Sequence, residues 1–113
     1  MMTVINMTPH DICIIHQDAA GEERVEVIPV SGQVARCEMH KEAAAPLGDI
    51  PVYRLTYGPV ADLPPAADGT FYIVSSIVAQ SLRHEREDLL VPVDFVRNGR
   101  GEIIGCRALG RQV

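Results

Sequence analysis

Three arginines, two adjacent serines, a tyrosine and one polar turn are the parts of this sequence whose residue types could do chemistry. The guanidinium groups of Arg36, Arg86 and Arg107 can grip a phosphate or carboxylate with two parallel hydrogen bonds. Internal ion pairing competes with that role. Arg86 stands two residues from Asp88, and Arg36 neighbours Glu38 on its own strand face. Arg107 follows the apolar run Ile103-Ile104-Gly105-Cys106, and by alternation it shares a face with Ile103, Gly105 and Leu109. A charge on such a face must find a partner or a ligand, because burying it alone costs several kcal/mol. Gly105 leaves room beside it for a ligand or for another backbone. At Ser75-Ser76 a strand runs into a helix, and a helix start offers unpaired N–H groups to an anion or simply uses a serine as its N-cap. Tyr57 or Tyr72 could cover a base or ribose. The segment Asn6-Met7-Thr8-Pro9-His10-Asp11 packs hydrogen-bonding side chains around a rigid proline. Asn6, Thr8 and His10 there either build a turn or contact a ligand.

Metal and catalytic chemistry are poorly represented. Cys37 and His40 are three steps apart on an extended segment and so point to opposite faces. His10 and His16 share parity but stand about 20 Å apart on an extended strand. No glycine-rich phosphate loop, dinucleotide fingerprint or nucleophile elbow occurs, so no cofactor is implied. The hydrolase alternative is a distant pairing of His10 with Ser75 or Ser76.

The composition bounds the class. A chain of 113 residues, 47% hydrophobic and 22% charged, is expected to fold as a single domain over residues 1–113. With no tryptophan and only five Phe and Tyr residues, the core must be mainly aliphatic. The net charge of −5 opposes binding to nucleic-acid polymers and to acidic membranes. The imbalance is local, since residues 83–113 carry six arginines against five acids while residues 1–82 carry four bases against ten acids. The C-terminal third is therefore where a small anion would be met. Cys13, Cys37 and Cys106 cannot all pair internally and read as buried reduced thiols. With no signal-peptide pattern and no apolar run of about 20 residues, a cytoplasmic location is expected.

Short β-rich runs separated by turns dominate the chain. Strands are expected at residues 11–16, 24–28, 33–39, 52–57, 70–74 and 88–92. Residues 95–97 and 102–109 flank Asn98-Gly99, a hairpin signal. Gly58-Pro59 should end the fourth of these strands, and the one helix should follow Ser75-Ser76, with Val78, Ala79 and Leu82 on one face. The result is an α+β domain: a mainly antiparallel sheet or open barrel of seven or eight short strands with one short helix. The apolar runs at residues 12–15 and 89–91 exceed what a strand with one solvated face needs, which favours a homo-oligomer or a two-sided core.

Several pieces resemble a family of short, largely uncharacterised bacterial and phage proteins. They are the Asn6-Met7-Thr8-Pro9-His10 opening, Ile28-Pro29-Val30-Ser31-Gly32, Tyr72-Ile73-Val74-Ser75, residues 86–92 and the Ile103-Ile104-Gly105-Cys106-Arg107-Ala108-Leu109 strand. The resemblance implies a phage or prophage setting and no catalytic residues. Small phage proteins of this kind often counter host defence, some by sequestering nucleotide signals. Together these readings favour a non-enzymatic protein that binds a small anionic ligand, a nucleotide-derived defence signal being the candidate. A structural or protein-interaction module forming homo-oligomers is the first alternative, and the small hydrolase is the second.

Overall fold

The computed structural model describes residues 2–113. Eight strands and one short helix follow in the order β1 (Thr3–Asn6), β2 (Ile12–Gln17), β3 (Glu23–Ile28), β4 (Arg36–Ala43), β5 (Tyr53–Ala61), β6 (Thr70–Ile73), α1 (Ser76–Ser81), β7 (Leu89–Arg97) and β8 (Ile103–Gly110). This is the expected α+β class. Six strands form one curled, half-barrel sheet in the order β1-β6-β7-β8-β2-β3, and β4 pairs only with β5.

The hairpins β2–β3, β4–β5 and β7–β8 supply the antiparallel pairs, which carry most of the register. Three parallel pairs, β1–β6, β6–β7 and β2–β8, join them into the curl. Helix α1 lies in the β6-to-β7 crossover, as a parallel connection requires. Its N-cap is Ser75, in extended conformation, whose Oγ accepts the Val78 N–H at 3.3 Å. Val78 and Ala79 face the core with Met7, Ala35, Tyr72, Val74, Leu89 and Val91. The core is aliphatic apart from Tyr72.

Three local departures from strict alternation have physical causes. Strand β5 continues past Gly58-Pro59 because a bulge opposite Cys37–Met39 gives the proline a place where no ladder N–H is required. Strand β7 is unbroken from Leu89 to Arg97, with Asp94 adopting φ +55° in its middle, a conformation a short polar side chain tolerates. A second bulge, between Val96 and Arg97, sets Arg97 opposite Ile103 and Val96 opposite Gly105. Alternation therefore does not carry from Arg107 back to Ile103. Gly105 is the point of closest backbone approach: a Cβ there would stand 2.9 Å from the Cys13 carbonyl oxygen and 2.9 Å from Ile15 Cδ1.

Strands β4 and β5 form an arm. Nearly all their residues are exposed, and their substantial contacts outside the pair are with α1. The radius of gyration, 17.2 Å, exceeds the roughly 13 Å of a compact chain this long. Gly48, at φ +59°, turns the tip between Leu47 and Ile50, whose backbones exchange two hydrogen bonds.

Candidate functional site

The polar residues of the N-terminal turn converge, and they converge on the backbone. Asn6 is 1% exposed. Its amide nitrogen donates to the carbonyls of His10 at 2.7 Å and Ile28 at 3.0 Å. Its Oδ1 accepts the Thr8 N–H at 2.9 Å and lies 2.6 Å from the Thr8 hydroxyl. That hydroxyl also lies 2.9 Å from the His10 carbonyl, so its single proton serves one acceptor at a time. The Asn6 carbonyl accepts the Ser31 N–H, and the Met7 carbonyl accepts that of Ala35. These bonds tie the end of β1 to the end of β3, where Asn6 bridges Val30 and draws the curled sheet together. The cluster is a clasp. Both amide protons of Asn6 and its Oδ1 are engaged within the chain, and His10 takes part through its carbonyl while remaining exposed.

The arginines do not converge. Arg86 donates to both carboxylate oxygens of Asp88, at 2.9 and 2.8 Å, and to the Pro64 carbonyl at 3.0 Å. The two side chains are only 17% and 13% exposed. This hydrogen-bonded pairing holds the Asp88 carboxyl below its ordinary range and lifts the guanidinium pKa further, with burial opposing both. Its guanidinium carbon lies 6.0 Å from the Tyr72 ring centroid. Arg86 thus fastens the Leu63-Pro64-Pro65 link to β7. Arg107 donates to the Ile15 carbonyl at 3.3 Å and to Glu23 at 3.1 Å. The backbone that Gly105 admits is that of β2, which answers the alternative left open by the sequence. Arg36 stands apart, in a shallow depression of about 310 Å³ with Gly32, Gln33, Val34 and Asp62. The carboxylate of Glu38 lies 3.5 Å from His40 Nε2, its neighbour on the same strand face. Each of five depressions among the described residues is lined by at most one of these three arginines.

The serines are also engaged or apart. The Ser75 hydroxyl caps α1, Ser76 is exposed, and a six-residue helix has little dipole to offer an anion. Tyr57 lies in a notch with Ile77, Gln80, Ser81 and Arg83, between the arm and α1, away from Arg86 and Arg107. The described residues hold no group of three His, Cys, Asp or Glu side chains placed for a metal ion. All three cysteines are free, and burial pushes the Cys106 thiol up in pKa, which leaves it protonated and unreactive.

Two apolar surfaces stand out instead. On the arm, the register Met39–Tyr57, Lys41–Leu55 and Ala43–Tyr53 places these six residues on one face, with His40, Thr56, Glu42 and Arg54 on the other. Met39, Tyr53, Leu55 and Tyr57 are each about half exposed. Beyond them, at the tip, Leu47 and Ile50 are 70% and 64% exposed. The ammonium of Lys41 lies 4.7 Å from the Tyr53 ring centroid. The second surface is a groove of about 160 Å³ lined by Ile12, Cys13, Pro92, Phe95, Ile103 and Ile104, with Asp11 at its side. Phe95, Ile103 and Ile104 are about half exposed there. The groove is smaller than the roughly 300 Å³ at which small-molecule pockets begin, and its only charge is negative. Neither surface was singled out from sequence. The alternation of Tyr53, Leu55 and Tyr57 against Arg54 and Thr56 is legible, but it reads as a strand covered by its own domain.

Comparison of the chain with family models, with curated proteins and with solved structures finds no match.

Proposed function

We propose that this protein is a non-enzymatic interaction module that works by assembling with further copies of itself through the β4–β5 arm. One observation carries the reading: the arm has an apolar face, Met39, Tyr53, Leu55 and Tyr57, whose side chains are about half exposed and of which only the Tyr57 end borders α1. A two-stranded ribbon alone in water is marginal, and large half-exposed side chains side by side are the usual mark of an interaction site. The exposed edge of β3, with Val25 and Val27 about half exposed, adds to the demand for a partner.

Sequestering a small anion, the other non-enzymatic reading, would require Arg86 and Arg107 to leave Asp88 and Glu23 and to gather with Arg36. The hydrolase reading would require His10 to approach Ser75, whose hydroxyl caps a helix, or the exposed Ser76 beside it. No helix among the described residues is long and apolar enough to cross a membrane.

Thermal melting separates the readings. Self-assembly makes the melting temperature rise with protein concentration and leaves it indifferent to nucleotides, whereas a binder of small anions responds to the ligand. A melting temperature independent of protein concentration, but raised by a mono-, di- or cyclic nucleotide, would overturn the proposal.

A further inference from the structure

The two apolar surfaces of the chain are complementary, and we infer that the arm of one copy docks in the β2/β7/β8 groove of the next, head to tail. The inference rests on the self-assembly reading and names the surface that receives the arm. Four observations carry it.

First, the arm packs on α1 of its own chain and makes no substantial contact with β2, β7 or β8, so the groove is not covered from within. Second, the charges match. The arm's apolar face contains one cation, Lys41, and the groove has one anion beside it, Asp11, which is exposed and engages one carboxylate oxygen with the Val30 N–H. Pairing arm with arm would give neither Lys41 an anion on the apolar face and would leave Phe95, Ile103 and Ile104 in water.

Third, the bulge between Val96 and Arg97 lets the consecutive residues Ile103 and Ile104 both line the groove, doubling the apolar surface that one strand can offer there. Fourth, the area suffices. A half-exposed large side chain offers roughly 100 Å², so six on the arm and three in the groove supply close to the ~1,000 Å² expected of a specific interface.

A contact between two different patches is heterologous, and it propagates into a closed ring or an open filament rather than stopping at a two-fold pair. Each copy would then present one arm and one groove, and the ends of an open assembly would remain adhesive.

The test uses two surface variants of the full chain. Leu55→Glu makes the arm face polar while its new carboxylate stays opposite Lys41, so the ribbon keeps a cross-strand pair. Ile104→Glu does the same to the groove. By multi-angle light scattering each variant alone is expected at the monomer mass of 12.3 kDa, and wild type at multiples of it. An equimolar mixture is expected at twice the monomer mass, because one variant supplies an intact groove and the other an intact arm. Ile104→Glu assembling like wild type, or a mixture that stays monomeric, overturns head-to-tail docking while leaving self-assembly standing. Monomeric wild type overturns self-assembly itself. Circular dichroism checks that each variant is folded, and Tyr53→Ser with Phe95→Ser forms a second pair with the same expected complementation.

Discussion

The clasp at Asn6 and the arm at β4–β5 use hydrophobic and polar residues in opposite ways. At the clasp a polar side chain is buried and its hydrogen-bonding groups meet partners inside the chain. On the arm apolar side chains stand about half exposed. A buried amide with full partners adds stability and closes the site to ligands, whereas an uncovered apolar face adds little to the lone fold and leaves interaction energy available. The contrast separates the part of the chain that makes the fold from the part that makes contacts.

Substitution at the clasp should have the largest effect. Asn6→Ala would strand the Ile28 carbonyl and the Thr8 N–H and remove one of the two donors to the His10 carbonyl, and should lower unfolding free energy by about 2–4 kcal/mol in urea titration. A loss below about 0.5 kcal/mol, the range of neutral surface changes, would mean that something other than Asn6 closes the sheet. Next comes Gly105→Ala, which forces a methyl group against the Cys13 carbonyl and Ile15. It should cost about 1–3 kcal/mol by overpacking. A neutral result would show that β2 and β8 can separate freely at that point.

Arg86→Met should cost about 1–3 kcal/mol at neutral pH, because it leaves the Asp88 carboxylate largely buried without its partner. The effect has a defined pH dependence. Asp88 has its folded pKa lowered, so its pairing contributes fully above the ordinary carboxylate pKa. That contribution is lost as pH falls through the lowered value. Wild type and variant should therefore differ most near neutrality and converge in strong acid, which stability curves at several pH values would show. A difference that persists unchanged into strong acid would mean that the Pro64 contact or the stacking on Tyr72, rather than the ion pair, dominates. The smallest effect is expected on the arm. Tyr53→Ser should change the stability of dilute, unassembled protein by no more than about 0.5 kcal/mol while reducing its assembly. A large loss of monomer stability would show that the ribbon face is part of the fold.

Much of the fold was legible in the sequence. Apolar alternation marked most strands, Asn98-Gly99 marked the last hairpin, and Ser75 with Val78 and Ala79 marked the helix. Strand β1 was not legible because four residues at a sheet edge carry too short a pattern, and its pairing with β6 is parallel and distant in sequence. The continuation of β5 through Gly58-Pro59 was hidden by a bulge, and that of β7 through Asp94 by a left-handed aspartate. At the site, the sequence marked Asn6, Arg86 and Arg107 as groups in need of a partner and named Asp88 as the one competing for Arg86, while the partners of Asn6 and Arg107 were not legible. Asn6, Arg86 and Arg107 each stand where a charge or amide needs satisfying, and residues 2 to 92 positions away in the chain satisfy them. The arm illustrates the converse. Its strands alternate as any half-buried pair does, and only the tertiary arrangement reveals that the other half of the burial is missing.

Self-association is the claim on which the account turns, and the mass of the wild-type protein in solution tests it most directly. Light scattering across the micromolar range should give masses that rise to multiples of 12.3 kDa as concentration increases, as expected when the arm finds a surface on another copy. A constant 12.3 kDa up to high micromolar concentration would contradict it.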